Sequence, residues 1–481
     1  MPDNLKQKTV TGVSWSFIEQ ILARGVNFVI GIILARLLTP TDYGLVGMMA
    51  IFIAIAQLFI DGGLGNALIR TKSPSDKDYS TVFVINLTLS TFFYILLYFS
   101  APFIADYYDQ PILKSLLRTV ALVLVIGSIS CIQSTQLTIR VDFRTRTYIS
   151  ILISVISGIV GIVCAYKGLG VWALIAQTLA SSIVCTIATL AFVHWRPKLA
   201  FSRESFKRLF SYSSKMLVAS IINVIYDNVY PLIIGKRFTA ADVGQYTRAW
   251  QFPGITNGTI TGALNRVAFP VLSQIQDDDD RLLRVYDKYI QLACFLTFPA
   301  LMGLCGCARP LVSLLLTDKW LGCVPLMQII CFGLLTNTIA TINLNLLYVK
   351  GRSDMVLKLE IIKKSIAFAI IFITMFFSIK VMCIGHAVYS YLALYLNTHY
   401  TKRILGYGIK SQIKSAAPYF LISLVVLVEA ALCSYLIHNN VISIVVSLTV
   451  CSFTYWLITR MTHLYAYEEV RSILSTILKK G

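Results

Sequence analysis

Apolar residues fill this chain in stretches long enough to cross a bilayer, separated by short polar segments. One helical crossing takes about 20 apolar residues. Such stretches run at 13–37, 43–66, 79–105, 112–137, 147–166, 170–193, 213–235, 248–272, 288–316, 323–348, 356–378, 381–400, 416–437 and 441–460. The pattern predicts an all-α polytopic membrane protein with about 14 transmembrane helices. Within some spans polar residues recur every three or four positions, the spacing of one helix face. Gln20, Arg24, Asn27 and Gly31 form such a face in span 1, and Ser220, Asn223, Asp227 and Pro231 form one in span 7.

Composition supports this reading. Of 481 residues, 57% are apolar and 14% charged, and the mean hydropathy is +0.73. A soluble domain has roughly 45–50% apolar and 25% charged residues. Disorder and a nucleic-acid-binding arm are excluded, and little chain is left for a soluble domain. The net charge of +19 has a topological explanation. With the N-terminus inside, 27 Lys and Arg fall in inner segments and eight in outer ones, the bias of cytoplasmic loops. Both termini are therefore expected in the cytoplasm. Lys6 and Lys8 precede the first apolar run without an A-x-A site, which predicts a span rather than a cleaved signal. The 11 cysteines are scattered through apolar stretches without a C-x-x-C pair. They read as small buried hydrophobes, with no metal site.

Two inner segments have amphipathic spacing. Phe201, Phe206, Leu209 and Phe210 lie among Arg203, Lys207 and Arg208; Leu464, Tyr467, Val470, Leu474 and Ile477 precede Lys479 and Lys480. Such helices lie on an anionic leaflet or cap a bundle. Asp277 to Asp280 reads as a solvated turn.

The chain also repeats itself. LTPTDYGLV at 38–46 and FTAADVGQY at 238–246 place Thr39, Asp42 and Gly44 at an offset of 200 from Thr239, Asp242 and Gly244. The aspartate reads as a helix cap and the glycine as a tight turn. Gln57, Asp61 and Gly65 in span 2 correspond to Asn257, Thr261 and Asn265 in span 8. An even number of spans separates the copies, so the halves are parallel, the plan of transporters with two pseudo-symmetric lobes and a site between them. The expected organisation is an N-terminal lobe at 1–195 (spans 1–6), a cytoplasmic linker at 196–211, a C-terminal lobe at 212–400 (spans 7–12), and a helix pair with an amphipathic tail at 401–481.

Three segments carry a family resemblance: GVSWSFIEQILARGVNFVIGIILARLLTPTDYGLVGM from Gly12, FIDGGLGNALI from Phe59, and YDNVYPLIIGKRFTAADVGQYTRAWQFPG from Tyr226. They resemble the polysaccharide transporter family of Wzx-type lipid-linked oligosaccharide flippases, in the multidrug/oligosaccharidyl-lipid/polysaccharide exporter superfamily. The resemblance runs over essentially the whole chain. It implies two six-helix lobes around a cavity with alternating access. It also implies movement of an undecaprenyl-pyrophosphate-linked glycan from the inner to the outer leaflet of a bacterial plasma membrane, for O-antigen, capsule or exopolysaccharide. The implied partners are the lipid-linked oligosaccharide, membrane lipids and glycan polymerase machinery.

Such cargo needs cations for pyrophosphate, hydroxyls and amides for sugars, and an apolar portal for the lipid tail. Arg24 lies deep in span 1, where a lone arginine costs at least ~2.5–3.5 kcal/mol. It reads as a pyrophosphate ligand or as the partner of Glu19 or Asp61. Arg266, which could instead snorkel to the inner interface, and Lys363 and Lys364 are further cationic candidates, one of the two lysines facing the cavity while the other pairs or snorkels. Gln20, Asn27, Asn223, Asp227 and Asn257 are candidates for the polar face of the cavity. Asp61 and Asp227 leave Na+ or H+ coupling open; no cofactor is expected. Polar runs in spans 4 and 10 (Ser128, Ser130, Gln133, Ser134 and Gln136; Thr336, Asn337, Thr341, Asn343 and Asn345) suit sugars or hold helices together.

A membrane enzyme of glycan assembly is the rival class. The absence of H-E-x-x-H, G-x-S-x-G and Walker A sequences and the short connections argue against it. A multidrug or cation antiporter of the same superfamily is the rival transporter, weakened by the cationic Arg24.

Overall fold

The computed structural model describes residues 22, 24–71, 73–140 and 142–478. Among these residues the regular structure is helical, with no β-strand. In chain order the helices are α1 (24–37), α2 (Pro40–Asp61), α3 (Leu64–Arg70), α4 (Asp76–Tyr107), α5 (Ile112–Val120), α6 (Leu122–Ile139), α7 (Phe143–Tyr166), α8 (Val171–Phe192), α9 (Arg203–Arg237), α10 (Ala240–Gln274), α11 (Asp279–Gly306), α12 (Ala308–Leu316), α13 (Cys323–Leu334), α14 (Asn337–Val349), α15 (Ser353–Thr374), α16 (Ile379–Leu405), α17 (Ile409–Leu436), α18 (Asn440–Met461) and α19 (Tyr465–Leu478).

The protein is an all-α polytopic membrane protein. Ten helical stretches among the described residues are long and apolar enough to cross a membrane. Lipid offers backbone groups no hydrogen bonds, so helices satisfy their own. Each predicted span coincides with helix where it is described. Span 2 is built from α2 and α3, span 4 from α5 and α6, span 9 from α11 and α12, and span 10 from α13 and α14. Spans 7 and 8 lie within the 35-residue α9 and α10. α15 carries Asp354, Lys358, Glu360, Lys363 and Lys364 between its start and its middle.

Two compact units form, Met1–Gly244 and Gln245–Gly481. Lipid does not drive helices together by hydrophobicity, so close packing of small residues matters more. In the first unit α7 lies against α1 and α8. A Cβ on Gly158 would fall 2.1 Å from Ile30, and one on Gly161 3.0 Å from Gln177. Leu64, Leu68, Val82, Ile132 and Leu209 join α3, α4, α6 and α9 in one core cluster.

The segment 203–210, expected as an amphipathic helix on the leaflet or capping the bundle, is the start of α9. Leu209 is buried in that cluster, while Phe201 and Phe210 are exposed. Arg208 pairs with Asp78 at 2.5 Å, and the Ser202 amide donates to Thr81 Oγ1 at 3.0 Å. These contacts tie the segment to the start of α4.

In the second unit α17 packs closely on α11, where a Cβ on Gly306 would fall 2.5 Å from the Ala430 Cβ. A buried polar network locks the same pair to α14 and, through Gln412 Nε2 donating to Thr401 Oγ1 at 3.4 Å, to α16. Tyr286 donates to Asn343, Asn343 Nδ2 donates to Gln412 Oε1 at 3.1 Å, and Gln412 Nε2 donates to Tyr286 Oη at 3.2 Å. Span 13 is thereby held to spans 9 and 10. The aspartate run caps rather than merely turns: Asp278 accepts from the Arg281 amide at 2.9 Å, and Asp279 pairs with Lys350 at 2.5 Å.

The repeated motif has a different local role from the one expected. Thr39, not Asp42, is the N-cap of α2. Its hydroxyl accepts from the Asp42 amide at 3.3 Å while the Asp42 carboxylate accepts from the Thr39 amide at 2.8 Å. This is a capping box, which satisfies two amides lacking intrahelical partners. Thr239 and Asp242 repeat it at 3.2 and 3.1 Å. Gly44 and Gly244 sit within helices and make no turn.

Candidate functional site

The first unit contains a polar cavity of about 500 Å³ between α2, α3, α6, α7 and α8. Its position follows from a break in span 2. α2 ends at Asp61; Gly62 and Gly63 then take φ of +44° and +74° before α3 begins. Glycine adopts this left-handed region without the penalty a Cβ brings. The break leaves Asp61 on the cavity wall, where its carboxylate accepts from Gln57 Nε2 at 3.2 Å. Asp61 forms no ion pair among the described residues. Ser134 and Thr138 of α6 and Arg146 and Ser150 of α7 are among its other polar lining residues.

The second unit contains an apolar groove of about 810 Å³ between α11, α12, α17, α18 and α19. Phe295, Pro299, Leu304, Val426, Leu448 and Trp456 line it, and Tyr467, Arg471 and Ser475 of α19 stand at one end. The amphipathic tail expected from the sequence thus contributes polar groups to the lining of an apolar groove.

The predicted site residues divide. Arg24 is exposed on α1, one turn before Asn27. The Asn27 amide nitrogen donates to Ser154 Oγ of α7 at 3.1 Å. Gln20 and Glu19 lie outside the described residues. Asn223 and Asp227 are exposed one turn apart on α9, and Arg266 is exposed on α10.

Asn257 does not line an open face. It is 4% exposed, and its Oδ1 accepts from Thr338 Oγ1 at 3.1 Å. Thr261 shares a hydrogen bond of 2.8 Å with the same Thr338 hydroxyl, and Asn265 accepts from Asn345 at 2.9 Å. The polar face of span 8 therefore binds α10 to α14. Lys363 is also buried, paired with Glu360 at 2.5 Å. Lys364 is half-buried. Span 4 divides in the same way: Ser128 shares a hydrogen bond with Ser90 at 3.0 Å, whereas Ser134 is exposed to the cavity.

Sequence reasoning counted Arg146 only as a cytoplasmic charge and did not single out Thr138 or Ser150. The available signal was the Asp61-Gly62-Gly63 break, since interrupted helices commonly line transporter sites.

Residues 33–325, more than half of the chain, match the family described as "Polysaccharide biosynthesis protein". The chain belongs to that family. This family member is 25% identical over 366 residues to "Lipopolysaccharide biosynthesis protein WzxC" of Escherichia coli, covering 75% of this chain and 74% of that one. It is 26% identical over 339 residues to "Succinoglycan biosynthesis transport protein ExoT" of Rhizobium meliloti, covering 70% and 69%. Its fold is that of the lipid II flippase MurJ in an inward closed conformation, with a TM-score of 0.73 at 16% identity over 94% of this chain and 99% of that one.

Proposed function

We propose that this protein is a flippase of polysaccharide biosynthesis. It carries an undecaprenyl-pyrophosphate-linked oligosaccharide from the inner to the outer leaflet of a bacterial plasma membrane by alternating access, and both termini are cytoplasmic. The observation that carries this reading is the pairing of chemistries in one family member: a hydroxyl- and carboxylate-lined cavity in one unit and an apolar groove in the other. A polyprenyl glycolipid needs both. A drug antiporter needs no such apolar groove beside a polar cavity, and an enzyme needs convergent acid–base or nucleophilic groups.

On this reading Arg24 takes pyrophosphate oxygens through its planar fork of donors. Arg266 and Lys364 add positive charge, while Lys363 stays with Glu360. Asn27, Asn223 and Asp227 supply polar contacts, and Asp61 or Asp227 couples transport to Na+ or H+. The printed names of WzxC and ExoT, in lipopolysaccharide biosynthesis and succinoglycan transport, favour a surface polysaccharide as destination.

The test is to delete the chain and follow lipid-linked glycan. Accumulation in the inner leaflet, reversed by the intact gene, is expected. Normal surface glycan together with drug hypersensitivity would instead favour the antiporter.

A further inference from the structure

We propose that the polar cavity of the first unit is a glycan subsite that accepts a neutral or amino sugar of the cargo, with Asp61 as its central hydrogen-bond acceptor. This rests on the flippase reading and goes further by assigning the sugar to a particular pocket.

The lining has the chemistry a sugar ring requires. A pyranose presents hydroxyls that both donate and accept around its rim, and apolar C–H faces above and below. Ser134 brings a hydroxyl that can donate and accept, and Thr138, whose hydroxyl donates to the Ser134 carbonyl at 3.2 Å, keeps acceptor capacity; Ser150 stands on the same wall. Arg146 stands on the cavity wall, and Asp61 brings an acceptor. Ile149, 4% exposed, offers an apolar wall. The volume of about 500 Å³ falls within the ~300–1,000 Å³ range of small-ligand pockets.

Asp61 is the deciding residue. A carboxylate within a span is costly and must face a partner, water or a ligand. Among the described residues its partner is the neutral Gln57 amide, one turn away on the same helix. That leaves the carboxylate with acceptor capacity directed at sugar hydroxyls or an ammonium. A bare metal cation would need oxygens converging at ~2.3–2.6 Å, and would leave most of this space unused. Two left-handed glycines fix the break that places Asp61 on the wall. The cavity lies near Arg140 and Arg146, on the side the charge pattern makes cytoplasmic, where cargo is loaded.

The experiment uses the full chain, purified, with Ser134→Cys as reporter. The probe is the oligosaccharide released by mild acid from the lipid-linked pool of the deletion strain. Maleimide alkylation of the reporter is timed by mass spectrometry of its peptide, with and without the probe. We expect the oligosaccharide to slow alkylation, and Asp61→Asn to weaken that protection about tenfold, as expected for loss of a charged hydrogen-bond acceptor.

If Asp61→Asn fails to fold, Thr138→Val supplies the second variant, and retained full protection in it overturns the proposal. Protection by NaCl rather than by the oligosaccharide would make the cavity an ion site. No protection, in a protein that still flips the native glycolipid in vesicles, would remove the subsite and leave the flippase reading standing. Failure of the deletion strain to accumulate any lipid-linked pool would remove both.

Discussion

Gly44 lies directly against the backbone of Ala240: a Cβ on Gly44 would fall 1.6 Å from the Ala240 carbonyl oxygen. The relationship is reciprocal, since a Cβ on Gly244 would fall 1.9 Å from the Pro40 carbonyl oxygen. The two copies of the repeat therefore cross within the first unit, each glycine receiving the first helical turn of the other copy. Gly235 of α9 extends the crossing, with Met48 and Tyr108 each 2.9 Å from its Cβ position. Gly44→Ala and Gly244→Ala must each push backbone apart, at ~1–3 kcal/mol as for other overpacked sites. Both variants should lower the thermal midpoint of the purified protein and reduce glycan export. Gly254→Ala, with nothing within 4 Å of its Cβ position, should change neither.

The capping boxes behind that crossing give a second prediction. Thr39→Val and Thr239→Val each remove an oxygen that accepts from a helix amide. Each should cost ~0.5–2 kcal/mol, read as a lower melting temperature in detergent. The corresponding serine variants should retain most of the stability.

Arg24 separates cargo binding from structural pairing. Asp61 accepts from Gln57 and forms no ion pair among the described residues, which leaves Glu19 as the rival partner. Arg24→Ala should abolish export at normal membrane abundance, and Arg24→Lys should restore it only partly, because a point charge lacks the guanidinium fork. Reduced abundance, recovered by adding Glu19→Gln, would make the residue structural.

Lys363 should behave in the opposite way. Its side chain is 8% exposed and that of its partner Glu360 36%. Lys363→Met leaves the carboxylate without its cation and should lower abundance. The cost should fall below the ~3–5 kcal/mol of a fully buried pair, because water screens Glu360. Glu360→Gln in the same chain should recover abundance. Immunoblots of membranes from the single and double variants decide the matter.

Topology is testable with an impermeant thiol reagent in intact cells. The native cysteines are buried or half-buried, which gives a low background. Lys114→Cys and His438→Cys should label from outside, whereas Glu204→Cys and Lys410→Cys should not. Labelling at the last two would reverse the orientation drawn from the charge pattern.

The sequence by itself determined the helices, their order and the repeat. A bilayer allows a lone segment few backbone solutions, so apolar length and charged boundaries are enough to place α4, α7 and α18. It also contained the Thr39–Asp42 capping box, because that contact spans only three residues. The tertiary structure decided what each polar face meets. Helical spacing puts Asn257 and Thr261 on one face, as it does Gln57 and Asp61. Yet Thr338, 81 residues away, closes the first face, while a cavity leaves the second open. The same spacing does not separate Lys363 from Lys364, or a turn glycine from Gly44 pressed on Ala240. Periodicity fixes a side chain's direction from its own axis; only the distant helix packed there decides whether that direction ends in a bond, a backbone or open space.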